Sequence, residues 1–260
     1  MRDRETLRTY LATRRHTALL ITIVLLFAVR PFLGDTGAAA VIFSVAMLVV
    51  LIVALLNVQV DNMVGEREAL LAQRRRRIFV GWALAVPAIA ERMLVLFDPT
   101  HWLLLAGSVS WLLFFCYVTW CQLRNLLKQR EVTGETISMS ISIYLLLGLS
   151  WAILYTVIFT RHPDAFQFAT PTPEGISAAF RFPVLLYFSL TTISTVGYGD
   201  ITPLTLPARY AAVAEAITGQ FYLAILVARL VGLQMSQSAT AGTRGHPRRL
   251  ETDEPVEGRR

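Results

Sequence analysis

The residues best suited to chemistry form a five-residue stretch between two long apolar segments, Thr195-Val196-Gly197-Tyr198-Gly199. A cation that sheds its water needs a column of oxygen atoms directed at one axis, whereas an extended strand points successive carbonyls in opposite directions. Glycine at 197 and 199 can adopt a positive φ, which turns alternate carbonyls to the same side. Thr195 adds a hydroxyl oxygen, and the two intervening side chains can pack behind the strand. The spacing therefore predicts an oxygen column for a dehydrated cation.

This stretch and its surroundings resemble the pore module of the potassium-channel family, which consists of a helix, a re-entrant pore loop and a second helix. The resemblance covers roughly residues 137–235 and is strongest from Leu190 to Pro203, which reads LTTISTVGYGDITP. In that family the TVGYG carbonyls replace the hydration shell of K⁺. The resemblance implies that Thr195–Gly199, here called the filter segment, binds the transported K⁺ and that four identical chains surround one axis. No other cofactor is expected.

The resemblance also suggests residues that support the filter segment. Asp200 follows it at the outer mouth, where a carboxylate would attract cations and accept a hydrogen bond from Tyr187, at a place where the family often has tryptophan. Thr191 stands where some members carry a glutamate coupled to this aspartate, so that contact is missing. We expect Glu215, whose carboxylate is costly inside an apolar segment, to reach the pore helix near Thr191 or Thr192 and to brace it instead. The alternative is a protonated or lipid-shielded acid without a special role.

Gly219 follows Gly199 by twenty positions, the spacing at which the family has a hinge in its inner helix. A glycine there could let the last helix bend and open an inner gate. The alternative is a small residue that allows close helix packing.

The composition indicates a polytopic membrane protein. The chain is 55% hydrophobic with a mean hydropathy of +0.53, which is too apolar for a soluble domain. Eighteen of its 24 Lys and Arg fall in one alternating set of hydrophilic segments and two, Arg161 and Arg181, in the other. This asymmetry predicts a cell-membrane protein with both termini in the cytoplasm, and it explains the net charge of +6 without nucleic acid. Cys116 and Cys121 share one apolar segment, so no disulfide framework is expected.

The fold class expected is an all-α integral membrane protein with six transmembrane helices, one re-entrant pore helix and a filter loop. The four regions are a cytoplasmic N-terminus, a four-helix peripheral membrane domain, a pore domain and a disordered cytoplasmic tail: 1–16, 17–135, 136–235 and 236–260. The six spans are expected near 17–33, 38–58, 78–97, 102–123, 137–160 and 208–233. The pore helix is expected from Pro183, in the first turn, to Ser194.

Charges in the first four spans argue against voltage sensing. Span four has no arginine before Arg124, whereas a voltage sensor needs several. Arg30 and Glu91 are expected to form a structural ion pair. The run Arg74-Arg75-Arg76-Arg77 favours the cytoplasmic side and could contact anionic lipid headgroups.

Two other classes of function remain open. Potassium uptake transporters use pore loops too, but they join four in one chain and usually reduce the motif to a single glycine. A non-conducting membrane sensor or scaffold could retain the sequence as a relic. No catalytic constellation, phosphate-binding glycine loop or Cys and His metal cluster is recognisable, so an enzyme is not expected.

Overall fold

The computed structural model describes residues 15–33, 37–61, 79–90, 101–129, 131–169 and 178–244. The predictions for Arg74–Arg77, for Glu91 and for the chain termini before 15 and after 244 lie outside these ranges. The described helices are α1 Arg15–Val29, α2 Gly37–Asp61, α3 Phe79–Ala90, α4 His101–Leu126, α5 Gly134–Arg161, α6 Ala178–Ile193 and α7 Leu206–Arg244. A short 3₁₀ helix, Arg30–Phe32, follows α1.

Three described helices are long and apolar enough to cross a membrane. They lie at Leu105–Leu126 in α4, Gly134–Arg161 in α5 and Leu206–Met235 in α7, which agrees with the predicted spans four, five and six. Shorter apolar helices occur at His16–Phe32, Val41–Asn57, Phe79–Ala90 and Arg181–Ile193. The first three of these overlap the predicted spans one to three, and the fourth overlaps the predicted pore helix.

The helix α5 organises the molecule. A reciprocal pair of hydrogen bonds between Thr133 and Thr136 caps its first turn. The helices α1, α4 and α6 all pack against it. A hydrophobic core between these elements contains the fully buried Phe114, Leu146 and Leu149. A second core, which contains Tyr155, Phe166 and Phe188, lies between α5, α6 and the chain that follows the filter segment.

A two-stranded ribbon was not expected from the sequence. Strand β1, Phe166–Phe168, pairs antiparallel with β2, Ile201–Pro203, so that Phe168 lies opposite Ile201. The Ala169 amide extends the pairing by donating to the Asp200 carbonyl at 2.8 Å. The all-α expectation is therefore corrected to a helical fold with a short ribbon. The ribbon links the chain that follows the filter segment to the chain that follows α5.

Two predicted boundaries are wrong. The helix α6 begins at Ala178, so Pro183 lies inside it and not in its first turn. The proline removes one hydrogen bond of the helix, and packing of α6 against α5 and α7 offsets that cost. The helix α7 continues to Arg244, so residues 236–244 do not belong to a disordered tail. Extending an existing helix adds one hydrogen bond for each residue that is fixed, which is cheaper than starting one.

Candidate functional site

The backbone of the filter segment alternates in handedness. Gly197 and Gly199 have φ values of 53° and 81°, which confirms the positive φ predicted for both. Thr195 also has a positive φ, 59°, and is the only described residue other than glycine that does. Such a conformation is costly for a β-branched residue and is kept where the surroundings enforce it. Every second residue is therefore left-handed, as a row of carbonyls on one side requires.

The C-terminal end of α6 holds the base of the filter segment. The Thr191 carbonyl accepts hydrogen bonds from the amides of Val196 at 2.9 Å and Gly197 at 3.1 Å, and the Thr192 carbonyl accepts one from the Thr195 amide at 3.0 Å. These carbonyls are among the last of the helix and lack intrahelical donors. The Thr191 hydroxyl instead donates within its own helix, to the Phe188 carbonyl at 2.9 Å. Both threonines thus support the segment through their main chain, which a sequence motif does not reveal.

The helix α7 passes close behind this point. A Cβ atom added to Gly219 would lie 2.5 Å from the Ile193 carbonyl oxygen, which also accepts a hydrogen bond from the Tyr144 hydroxyl at 3.0 Å. Gly219 lies within the unbroken α7, which favours the packing alternative for this glycine; the hinge stays a prediction. One residue further along α7, the side-chain Nε2 of Gln220 lies 3.4 Å from the Thr195 hydroxyl oxygen. Neither Tyr144 nor Gln220 was singled out in the sequence.

The outer mouth contains Tyr187, Tyr198 and Asp200. The Tyr187 hydroxyl faces the Asp200 carboxylate, its side-chain partner at this mouth. The rings of Tyr187 and Tyr198 are nearly parallel, 2° between planes, with centroids 6.5 Å apart. The pairing of Ala169 with the Asp200 carbonyl fixes the main chain at the same residue. Asp200 is therefore held through both its backbone and its side chain.

Glu215 lies behind α6, but at a different point from the one predicted. Its side chain is fully buried, with Oε1 2.5 Å from the Ser189 Oγ and Oε2 2.5 Å from the Tyr155 hydroxyl. The predicted contact with Thr191 or Thr192 is therefore wrong. Residue 191 lies on a different face of the helix from residue 189, and the threonine hydroxyl at 191 is already bonded within α6. Residue 192 shares a face with 189 but lies about one turn further along the helix. Glu215 joins α7 to both α6 and α5.

The surface of the protomer is apolar where the site is exposed. Tyr198 is 72% and Val196 52% exposed, and within Leu206–Met235 only Ala208, Glu215 and Gly219 are buried. Large exposed apolar side chains, among them Tyr210, Phe221 and Ile225, follow the length of α7. Apolar patches of this extent mark contacts with protein or lipid.

Comparisons with known proteins found relatives of part of this chain. Two curated proteins, each named Protein LctB, from Bacillus caldotenax and Geobacillus stearothermophilus, are 36% identical over 91 and 86 residues. The matches cover 34% and 32% of this chain, and 64% and 60% of those proteins. The matched part thus spans less than two thirds of either relative, and the shared name states no activity. No solved structure matches.

A family model described as ion channel matches residues 141–234. The matched residues include most of α5, all of α6, the filter segment and the first part of α7. Residues 141–234 are therefore similar to an ion channel domain.

Proposed function

We propose that the protein is a potassium-selective channel that conducts K⁺ passively down its electrochemical gradient. The observation that carries the proposal is the alternation of left-handed φ at Thr195, Gly197 and Gly199 within a TVGYG sequence. In a channel this conformation lets main-chain carbonyls substitute for the water around K⁺, and neighbouring ions in the file repel one another onward.

The surroundings of the filter segment support the same reading. The C-terminal end of α6 lies directly before the segment, and the partial negative charge of a helix C-terminus stabilises a cation close to it. The exposed Asp200 carboxylate adds negative charge on the other side of the segment. A cation would therefore meet favourable charge at both ends of the file.

We further propose that four copies assemble around one axis. One chain supplies one quarter of a ring of carbonyls, and an irregular segment in the membrane is tolerated only where it lines an aqueous path or is buried in protein. The exposed apolar surface of Val196, Tyr198 and α7 supports such an assembly, because neighbouring copies would cover it.

The arrangement in the membrane is part of the proposal. The chain would cross the cell membrane six times, with α6 re-entrant and both termini cytoplasmic. The peripheral helices α1 to α4 would not act as a voltage sensor, and the run Arg74–Arg77 would meet anionic lipids at the inner surface. Apart from K⁺ as the transported ion, no cofactor is proposed.

A flux assay with a matched glycine control tests the proposal. Gly197→Ala should abolish potassium flux into liposomes, because alanine disfavours the positive φ of Gly197. Steric overlap is not the cause, since a Cβ atom there would meet no atom within 4 Å. Gly134→Ala is the control, since Gly134 has equally open space without a positive φ. Barium should block the wild-type flux, and sodium should not replace potassium.

Other outcomes would favour other classes of protein. Slow flux coupled to a second ion would favour a subunit of a potassium uptake transporter, and no flux would favour a non-conducting sensor or scaffold. Equal flux through Gly197→Ala and Gly134→Ala would contradict the role of the filter segment.

A further inference from the structure

The contacts of Ser189 contain one more oxygen than its hydrogen can serve. Its Oγ lies 2.7 Å from the Gly148 carbonyl oxygen and 2.5 Å from Glu215 Oε1. A serine hydroxyl carries a single hydrogen, and a carbonyl carries none. Two oxygens at these distances repel each other unless a hydrogen lies between them. The Ser189 hydrogen can fill only one of the two contacts, and the Gly148 carbonyl has none to give. The second hydrogen must therefore come from Glu215.

We propose that Glu215 is a neutral carboxylic acid whose proton lies between its own Oε1 and Ser189 Oγ. The hydrogens then form a consistent chain across three helices. Tyr155 of α5 donates to Glu215 Oε2, Glu215 of α7 donates to Ser189, and Ser189 of α6 donates to Gly148, again on α5. Every contact in this chain has one donor and one acceptor.

Burial favours the same state. Glu215, Ser189 and Tyr155 are each 0% exposed. An ionised carboxylate at such a site needs a cation or several donors to offset its lost hydration. Among the described residues, the side chains bonded to Glu215 are Ser189 and Tyr155, and neither is a cation. Within the described ranges, the other titratable group that interacts with Glu215 is a phenol, Tyr144 on α5. From α6 the Ser189 hydroxyl faces the carboxyl group.

The position of this proton gives it a consequence for the filter segment. Ser189 is six residues before Thr195 on the helix whose C-terminal carbonyls hold the filter backbone. The helices α5 and α6 come close at Gly148, since a Cβ atom added there would lie 3.1 Å from Cδ2 of Leu190. Glu215 is thus a positioning residue: its proton sets the distance of α6 from both α5 and α7. Ionisation would leave one of the two Ser189 contacts without a hydrogen and push the helices apart.

Infrared spectroscopy tests the proton directly, without any need for conduction. In the full-length protein in lipid bilayers at neutral pH, the carbonyl stretch of a protonated carboxyl group should be present, although exposed carboxylates are ionised there. It should disappear in Glu215→Gln and persist in Asp200→Asn, which removes the exposed carboxylate at the outer mouth. If Glu215→Gln instead lost intensity only in the bands of ionised carboxylates, Glu215 would be charged and the proposal would be overturned.

Potassium flux tests the positioning role, which rests on the proposed channel function. Glu215→Gln keeps one donor and one acceptor, so its flux should stay within about twofold of wild type. Glu215→Leu removes both, and we expect its flux to fall by roughly tenfold or more. Wild-type flux should decline at alkaline pH together with the infrared band, whereas Glu215→Gln should show no such decline.

The two readouts separate the possible failures. A Glu215→Gln protein that conducts as poorly as Glu215→Leu would overturn the neutral acid, because it would mean that the charge is needed. Equal flux in wild type and Glu215→Leu would overturn the positioning role. If wild type itself conducts no potassium while the infrared band is present, the proposed function fails and the proton assignment stands.

Discussion

At the scale of single residues, Thr195 is the one whose backbone conformation is hardest to explain without a function. A positive φ is unusual for a β-branched residue, and here it occurs at the first position of the filter segment. Bonds from the amides of Thr195, Val196 and Gly197 to the end of α6 hold it in place. The sequence pattern identified the segment because glycine signals such conformations, but a threonine does not.

The bond between Tyr187 and Asp200 should influence selectivity more than stability. Tyr187→Phe removes the donor to an exposed carboxylate, and because solvent screens such a contact we expect little change in stability. The mouth of the filter would then be less restrained, so the ratio of potassium to sodium flux should fall. Tyr210→Phe, at an exposed position on α7, is the control. Equal flux ratios in the two variants would contradict the prediction.

Gly219 should be intolerant of even one extra methyl group. In Gly219→Ala the new Cβ would lie 2.5 Å from the Ile193 carbonyl oxygen, and overpacking of this kind costs about 1–3 kcal/mol. The thermal unfolding midpoint in detergent should therefore fall. Gly232→Ala on the same helix meets no atom within 4 Å, so it should leave the midpoint unchanged or raise it through its higher helix propensity. Similar shifts in both variants would argue against the close contact.

At the scale of elements, Arg229 connects the inner part of α7 to the end of α4. Its guanidinium donates to the carbonyls of Leu126 at 2.5 Å and Gln129 at 2.8 Å. Leu126 is the last residue of α4, and its carbonyl has no donor within the helix. A cation at a helix C-terminus is also favourable, typically by about 0.3–1 kcal/mol. The end of α4 and the helix α7, which lines the pore in our proposal, are thus connected through this guanidinium.

Removing this contact should loosen α7 locally. Arg229→Gln should broaden the distance distribution between spin labels at the exposed positions Lys128 and Ala228, measured by pulsed electron paramagnetic resonance. Arg209→Gln is the control, because Arg209 bonds to the Pro203 carbonyl near the opposite end of α7. An unchanged distribution in Arg229→Gln would contradict the predicted coupling.

The sequence predicted long apolar helices well and their mutual register poorly. Continuous apolar runs located α4, α5 and α7 because crossing a membrane demands about 20 such residues. No pattern in the sequence indicated the ribbon, because its strands have only three residues each. The partners of Glu215 lie 26 and 60 residues away, at Ser189 and Tyr155. Which face of α6 meets α7 depends on tertiary packing, and no local pattern encodes it.

At the scale of the whole molecule, the number of chains around the proposed pore can be counted by mixing. If four chains form the pore and one Gly197→Ala chain blocks it, an equal mixture of wild-type and variant chains should conduct about one sixteenth of the wild-type flux. Mixing with Gly134→Ala should leave the flux unchanged. Flux near one half would mean that each chain conducts independently, which would contradict the tetramer.

The ribbon has a further consequence for the outer mouth. The main chain of Asp200 is tethered by Ala169, and its side chain by Tyr187, through separate atoms. Replacing the carboxylate would therefore change the local electric potential while the loop kept its shape. In the proposed channel, one substitution at Asp200 would therefore change the attraction of the entrance for external cations or charged blockers and leave the conduction path intact.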